Sequence, residues 1–254
     1  MAIDLEAIRQ KHSEISFGPG KSKGDFNLDN FLQLHEGSNV VRLLPGKDEE
    51  TQFYAETKIH RITFPTSQDG LTGGKIRNVH CRAVHGDKCP ICDLYFGLWK
   101  TGIKEDEDLA RQIKGRSRYY INAVDRDSRS VKILSIGIMI FQKLLNTILD
   151  EDYGDITDLK TGHDFKIVKI MDGQFPKYDQ SQARPKPTEA GSKAEIAEWM
   201  DSLHDVQALV KKEDYEDVLK VAEEITPPSM RSRQYTETPG AEGSDDEFLK
   251  KMQS

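Results

Sequence analysis

His80-Cys81-Arg82-Ala83-Val84-His85-Gly86-Asp87-Lys88-Cys89-Pro90-Ile91-Cys92 holds all three cysteines of the 254-residue chain. Cys89 and Cys92 have the spacing that lets one turn present both sulfurs to a single ion, and Pro90 suits such a turn. Cys81 supplies a third thiolate, and the fourth position of a tetrahedral zinc site falls to His60, His80 or His85. His80 adjoins Cys81, and neighbouring strand residues point to opposite faces, which disfavours it. His85 is sterically free in the loop. His60 sits on a preceding strand that a hairpin closing near residues 68–74 would bring opposite the Cys81 strand. Three unrelated buried thiols are the competing account, and it is the weaker one because no cysteine falls outside the cluster.

The flanking sequence reads as short strands. Asn39 to Leu44 is a strand ended by Pro45-Gly46, and Thr51 to Phe64 is a second strand region. Gln68 to Gly74 is a turn, from which Lys75 to Cys81 returns as a partner strand. Asp93 to Lys100 is a short helix, and residues 105–114 are a charged helix or loop. Arg118 to Val124 and Ser130 to Ile136 form a hairpin around Asp125 to Arg129. Ile138 to Leu149 is apolar at helical spacing, and Asp164 to Ile170 alternates as a strand. Gly173 to Gly191 reads as a loop. Residues 193–224 form one or two acidic helices ended by Thr226-Pro227-Pro228. About six short strands with few crossover helices favour a small antiparallel barrel or sandwich, of mainly β (α+β) class, with an inserted zinc module.

These readings divide the chain into four parts. Residues 1–24 are an N-terminal arm, an amphipathic helix followed by a Gly/Lys-rich linker. Residues 25–190 are the core, with the zinc subdomain at about 56–100. Residues 191–228 are an acidic helical segment, and residues 229–254 an acidic tail without periodicity, expected to be disordered. The N-terminus has no signal-peptide pattern and no run is long enough to span a bilayer, so a reducing, intracellular setting is expected.

The net charge of −7 is unevenly placed. Residues 1–190 carry 28 basic and 28 acidic side chains, and residues 191–254 carry 8 against 15, so the whole excess lies in the last quarter. Within the neutral part, residues 109–132 hold seven basic and two acidic side chains, a local stripe of the kind a nucleic acid needs. There, Lys114-Gly-Arg116-Ser-Arg118-Tyr119-Tyr120-Ile-Asn122 interleaves cations with aromatic rings. Cations follow phosphates and rings stack on unpaired bases, so this pattern fits a single strand. Tyr119 and Tyr120 point to opposite strand faces, and one of them is expected in the core. A second cluster places Phe175 and Tyr178 around Lys177, with Arg184 beyond. The bland alternative is core tyrosines beside surface arginines. A catalytic zinc would need an open position and a base, for which Asp87 is the only obvious candidate, and no His-x-Glu accompanies the Cys-x-x-Cys as in a deaminase. A zinc-dependent nuclease or deaminase, or an RNA-binding zinc module, are therefore the rival classes.

Several blocks resemble, in order, the single-stranded DNA-binding (helix-destabilising) proteins of T-even-type phages. These are Asn27 to Asn30 with Val40 to Asp48, Ile59-His60, Gly74-Lys75, His80-Cys81, His85-Gly-Asp with Cys-Pro-x-Cys, Arg116 to Asn122, and Phe175-x-x-Tyr178. The blocks span roughly residues 25–180, and the metal loop is the most specific of them. The resemblance implies an OB-fold barrel with an inserted zinc subdomain and a helical acidic C-terminal region. It implies a non-catalytic protein that binds single-stranded DNA without sequence preference in phage DNA replication, recombination and repair, in the cytoplasm of a bacterial host. It also implies one structural zinc held by His60, Cys81, Cys89 and Cys92, with His85 in reserve. Arg116, Arg118, Lys177 and Arg184 would neutralise phosphates, and Tyr119, Tyr120, Phe175 and Tyr178 would stack on bases. The N-terminal arm would serve self-association along DNA. The tail residues Asp245, Asp246, Glu247 and Phe248 would dock replication and recombination proteins. The chain departs from the family in its arm, where Arg9-Gln-Lys-His-Ser13 replaces a Lys/Arg-Ser-Thr cluster, and at the apolar Ile133 to Ile138.

Overall fold

The computed structural model describes residues 28–48, 51–64, 75–173 and 175–231. The expected N-terminal arm (1–24), the 68–74 turn and tail residues 232–254 lie outside them. Strands β1 (Gly37–Leu43), β2 (Tyr54–Phe64), β3 (Lys75–His80), β4 (Arg116–Asp125), β5 (Val131–Gly137), β6 (Asp164–Asp172), β7 (Phe175–Lys177) and β8 (Gln182–Ala183) form one sheet. Its order is β3-β2-β4-β1-β6-β7, with β5 on β4 and β8 on β6, and all these pairs are antiparallel. The helices are α1 (Pro90–Trp99), α2 (Lys104–Ile113), α3 (Ile138–Ile148), α4 (Lys193–Asp201), α5 (Tyr215–Ile225) and the single turn α6 (Pro228–Arg231).

Strand β4 explains the curl of the sheet. Its first half pairs with β2 (Arg116 opposite Ile59, Ile121 opposite Tyr54), and its last residues pair with β1 along the same edge (Ala123 opposite Leu43, Asp125 opposite Val41). Two strands sharing one edge must diverge, and the sheet bends into a half-barrel. The concave face holds Val41, Ile121, Leu134, Ile136, Phe165 and Ile167, closed by Ile140, Phe141 and Leu144 of α3. A second core joins Ile62 and Val79 of the β2–β3 hairpin to Ile91, Leu94 and Leu98 of α1, Ala110 and Ile113 of α2, and Val218 and Val221 of α5.

Three boundaries differ from the sequence reading. The 173–191 stretch contains β7 and β8, because a short edge strand tolerates Pro176, whose missing N–H faces no partner strand. Helix α1 begins at Pro90, three residues before the expected start. Proline is at home there, since the first helical turn has no use for its missing N–H. One helical turn, α6, extends past Thr226-Pro227 into the segment expected to be disordered. The 193–224 region packs in two places. Trp199 of α4 covers Leu44, Val124 and Ala190, and α5 covers the second core.

A buried ionic knot fixes the far end of the sheet. Arg42 has no exposed surface. Its guanidinium donates to the carbonyls of Asp158 (2.7 Å) and Thr188 (2.8 Å) and lies 3.6 Å from Asp164. Arg126 donates to the same carboxylate oxygen through Nη2 (2.6 Å) and Nε (3.0 Å). No helix among the described residues is long and apolar enough to cross a membrane.

Candidate metal centre and nucleic-acid interface

His60, Cys81, Cys89 and Cys92 converge so that one ligand atom from each lies within 4.8 Å of all the others. Strand β2 brings His60, the residue after β3 is Cys81, and the N-cap and first turn of α1 bring Cys89 and Cys92. His60 Nε2 lies 3.7 Å from Cys89 Sγ and 3.5 Å from Cys92 Sγ, and Cys81 and Cys92 sulfurs lie 3.4 Å apart. A tetrahedral ion with bonds of about 2.3 Å to sulfur and 2.0–2.1 Å to nitrogen has ligand–ligand edges of about 3.5–3.8 Å. These three separations fall within about 0.1 Å of that range, and none of the cysteines is in a disulfide. The cluster therefore fits one metal ion.

The support around the cluster fixes the imidazole. His60 Nδ1–H donates to the Ile113 carbonyl at 2.8 Å, one of the carbonyls the C-terminus of α2 leaves without an intrahelical partner. That bond leaves Nε2 as the metal-facing nitrogen. Gly115 passes so close that a Cβ there would lie 3.0 Å from His60 Cε1 and 2.7 Å from Lys58 Cδ. Burial pushes the His60 pKa down, but hydrogen bonds to Cys81, Cys89 and the Ile113 carbonyl outweigh it and hold the ring at about 9. Hydrogen bonds from Cys81 and Cys92 pull Cys89 strongly down, while the same crowding by Cys81 and Cys89 drives Cys92 strongly up. Three thiols this close cannot all ionise without a cation among them.

The other histidines are engaged elsewhere. His85 is exposed, with Nε2 3.3 Å from the Lys211 carbonyl, and His80 Nδ1 lies 3.2 Å from Thr57 Oγ1. Asp87 is tied to Lys212 at 2.7 Å and to Arg82 at 3.5 Å, and the Lys212 hydrogen bond holds its carboxyl below the usual range. Arg82 also donates to the Glu213 carbonyl and lies over the Tyr215 ring, so the metal loop is stapled to the start of α5.

Strand alternation places the metal and the cations on opposite faces of the β2–β4 pair. His60 faces inward, and its neighbours Ile59 and Arg61 face outward. Register sets Ile59 beside Arg116, Thr57 beside Arg118, and Ala55 beside Tyr120. Arg61 pairs with Asn78 of β3. Arg61, Arg116 and Arg118 are all exposed, so one open face carries three guanidiniums in a run that leads to Tyr120. Beside it lies a cleft of about 430 Å³, lined by Ile59, Asn78, Arg118, Tyr120, Ser135 and Lys169 and walled by residues of the 28–34 segment.

Arg118 acts electrostatically on one tyrosine from each sequence cluster. Burial raises the pKa of both Tyr120 and Tyr178, and the Arg118 guanidinium near each partly offsets the rise. Phe175 is 74% exposed at the β6–β7 hairpin, next to the exposed Ile170 and Met171. Lys177 pairs with Asp172 at 2.6 Å, both in water, a contact worth at most about 1 kcal/mol. Arg184 is exposed and only 4.0 Å from the shared Asp164 carboxylate.

The tyrosine pair differs from expectation. One was expected in the core, and both are buried, at 4% and 5% exposure. Tyr119 lies flat on Phe141, with centroids 3.7 Å apart and planes 8° from parallel, and its hydroxyl donates to Glu56 Oε1 at 3.1 Å. Both devices are internal, and that ring has no face left for a base. Tyr120 instead borders the cleft, covered edge-on by Phe31 at 6.2 Å. Arg61, Asn78 and Lys169 escaped the sequence reading. Arg61 was recoverable, because its neighbour His60 fixes the inward face, whereas Lys169 enters only through the curl of the sheet. The tail residues Asp245, Asp246, Glu247 and Phe248 lie outside the described residues.

A search of the curated proteins finds no match. A family model described as gp32 DNA binding protein like matches residues 35–227, well over half of the chain and including the metal cluster, the arginine face and the β6–β7 hairpin. The chain belongs to the gp32 DNA-binding-protein-like family.

Proposed function

We propose that this protein binds single-stranded DNA without sequence preference, on the face that runs from Arg61 past Arg116 and Arg118 to Tyr120. The observation that carries this reading is the run of exposed guanidiniums Arg61, Arg116 and Arg118 on one face of β2 and β4, leading to an open cleft bordered by Tyr120. Arg116, Arg118 and Arg61 neutralise phosphates, with Lys177 and Arg184 farther along. Phe175 and Tyr178 offer rings to bases, and Tyr120 does so once its cover is lifted, each worth about 1–3 kcal/mol. The half-barrel acts as an OB-type barrel, a fold suited to single strands. The ion is a structural zinc, the metal that a Cys₃His tetrahedron suits best, and it braces the hairpin that carries Arg61. A role in phage replication, recombination and repair, with partners recruited by Asp245 to Phe248 and self-association through residues 1–24, follows the family resemblance.

A catalytic zinc is the less favoured reading, because four protein donors already complete a tetrahedron and Asp87 is held by Lys212 and Arg82. The test is fluorescence titration with oligo-dT, the same RNA and duplex DNA over a range of salt. Tight oligo-dT binding that weakens steeply with salt is expected. Arg116→Ala and Arg118→Ala should each flatten the log–log salt slope by about 0.7. Salt-independent binding, or equal preference for duplex, defeats the proposal.

A further inference from the structure

Tyr120 borders the cleft yet is 5% exposed, so no base can stack on it in the arrangement seen. The segment that leads into β1 supplies the cover on the cleft side, and Val206, Leu209 and Val210 pack in the same cluster. Phe31 sits edge-on against Tyr120 and makes an isolated parallel bridge to Ile133, and the Leu32 amide donates to the Ile133 carbonyl at 3.0 Å. Two lysines hold the segment by its backbone. Lys132 Nζ donates to the Asp29 carbonyl at 2.7 Å, and Lys169 Nζ donates to the Leu34 carbonyl at 3.0 Å.

The attachment is asymmetric. At its C-terminal end the segment is anchored, because the 5%-exposed Asn39 accepts from the His35 amide and donates to the His35 carbonyl, and Gly37 turns the chain at φ 96°, a conformation that favours glycine. Toward its N-terminal end its polar ties include the Leu32 ladder bond and the Lys132 bond to Asp29, beside the Phe31 ring contact. Lys169 holds Leu34 near the anchored end, and Leu32 and Leu34 also pack against the main core. An ammonium on a neutral carbonyl is a replaceable partner. A phosphate offers the same lysine a full charge and a stronger hydrogen bond.

We propose that residues 28–34 are a displaceable strap over the DNA face, hinged where His35 is anchored to Asn39. A bound strand takes Lys132 and Lys169 from the strap carbonyls onto its phosphates and lifts Phe31 off Tyr120, which then stacks on a base. The strap thus competes with DNA, and loosening it tightens binding. This rests on the single-strand reading above.

The test uses the full chain and oligo-dT. Hydrogen exchange at the Leu32 amide should accelerate on saturation with oligo-dT, while amides of β2 and β4 do not. Phe31→Ala should bind oligo-dT about three- to tenfold more tightly, the fold-change that one edge-on aromatic pair represents. Binding with Leu32 equally or better protected, or Phe31→Ala binding more weakly, overturns the strap and leaves the single-strand reading intact. Failure to bind oligo-dT at all overturns both.

Discussion

Tyr119 and Tyr120 are adjacent and chemically identical, and the fold gives them opposite roles. Tyr119→Phe keeps the ring on Phe141 and removes only the hydroxyl bonded to Glu56. A hydrogen bond to a charged acceptor contributes about 1.5–3 kcal/mol, but Glu56 is exposed and water replaces the lost donor, which brings the cost to about 1 kcal/mol. For a chain of this size that is a fall of about 2–4 °C in Tm. Burial and the nearby Glu56 raise the pKa of the hydroxyl, so it remains a neutral donor through the neutral range. Tyr119→Ala also empties the stack and should cost about 3–5 kcal/mol. Neither change removes a base contact, so a folded Tyr119→Phe should bind oligo-dT as the parent does. Tyr120→Leu keeps an apolar partner for Phe31 and removes the stacking ring, and should weaken binding by about 1–3 kcal/mol. The assay pairs a thermal melt with an oligo-dT titration for each variant. If Tyr119→Phe lost affinity at unchanged Tm, or Tyr120→Leu kept full affinity, the division of roles drawn from the face each ring occupies would be wrong.

Three further outcomes are expected. Metal analysis should find one zinc per chain, and a strong chelator should melt the β2–β3, α1, α2 and α5 module before the half-barrel, as read by fluorescence of Trp99 against that of Trp199. Asp164→Asn leaves the wholly buried Arg42 and its neighbour Arg126 without their shared counter-charge, and urea unfolding should show a loss of about 3 kcal/mol or more. Glu195 caps α4 reciprocally with Ser192, and the Ser192 backbone N–H, the Ser192 hydroxyl and Arg129 together hold its carboxyl down at about 2. A depressed carboxyl contributes stability above its ordinary value of 4.5 and loses it as pH falls toward 2. The α4 cap should therefore loosen across that window, and Glu195→Gln should remove this part of the acid sensitivity of the Trp199 signal.

Much of the site was legible in the residues because its signals are local. The three cysteines within twelve residues and the strand carrying His60 define a donor set whose chemistry needs no fold to be recognised. The alternation of Arg116, Arg118 and Tyr120 places them on one strand face wherever that strand lies. The strands from Asn39 to Ile170 were readable because period-two patterning is local too. The misread parts depend on partners. β7 and β8 exist because β6 offers them an edge, and α1 reaches back to Pro90 because the helix and the metal loop share that turn. Tyr119 reads as a DNA residue until Phe141, 22 positions away, occupies its face.

The sequence by itself determined the ion-binding chemistry, the β-rich class and the charge imbalance, since composition and short-range spacing express all three. The tertiary structure alone decided that Arg61 joins Arg116 and Arg118 and that Phe31 covers Tyr120, and it sets His60, the ligand the family resemblance implies, rather than His85 against the thiols. Each of these is a contact between segments tens of residues apart. Such contacts are set by strand register and by the curl that β4 imposes when β1 and β2 share one of its edges, and no local pattern encodes them.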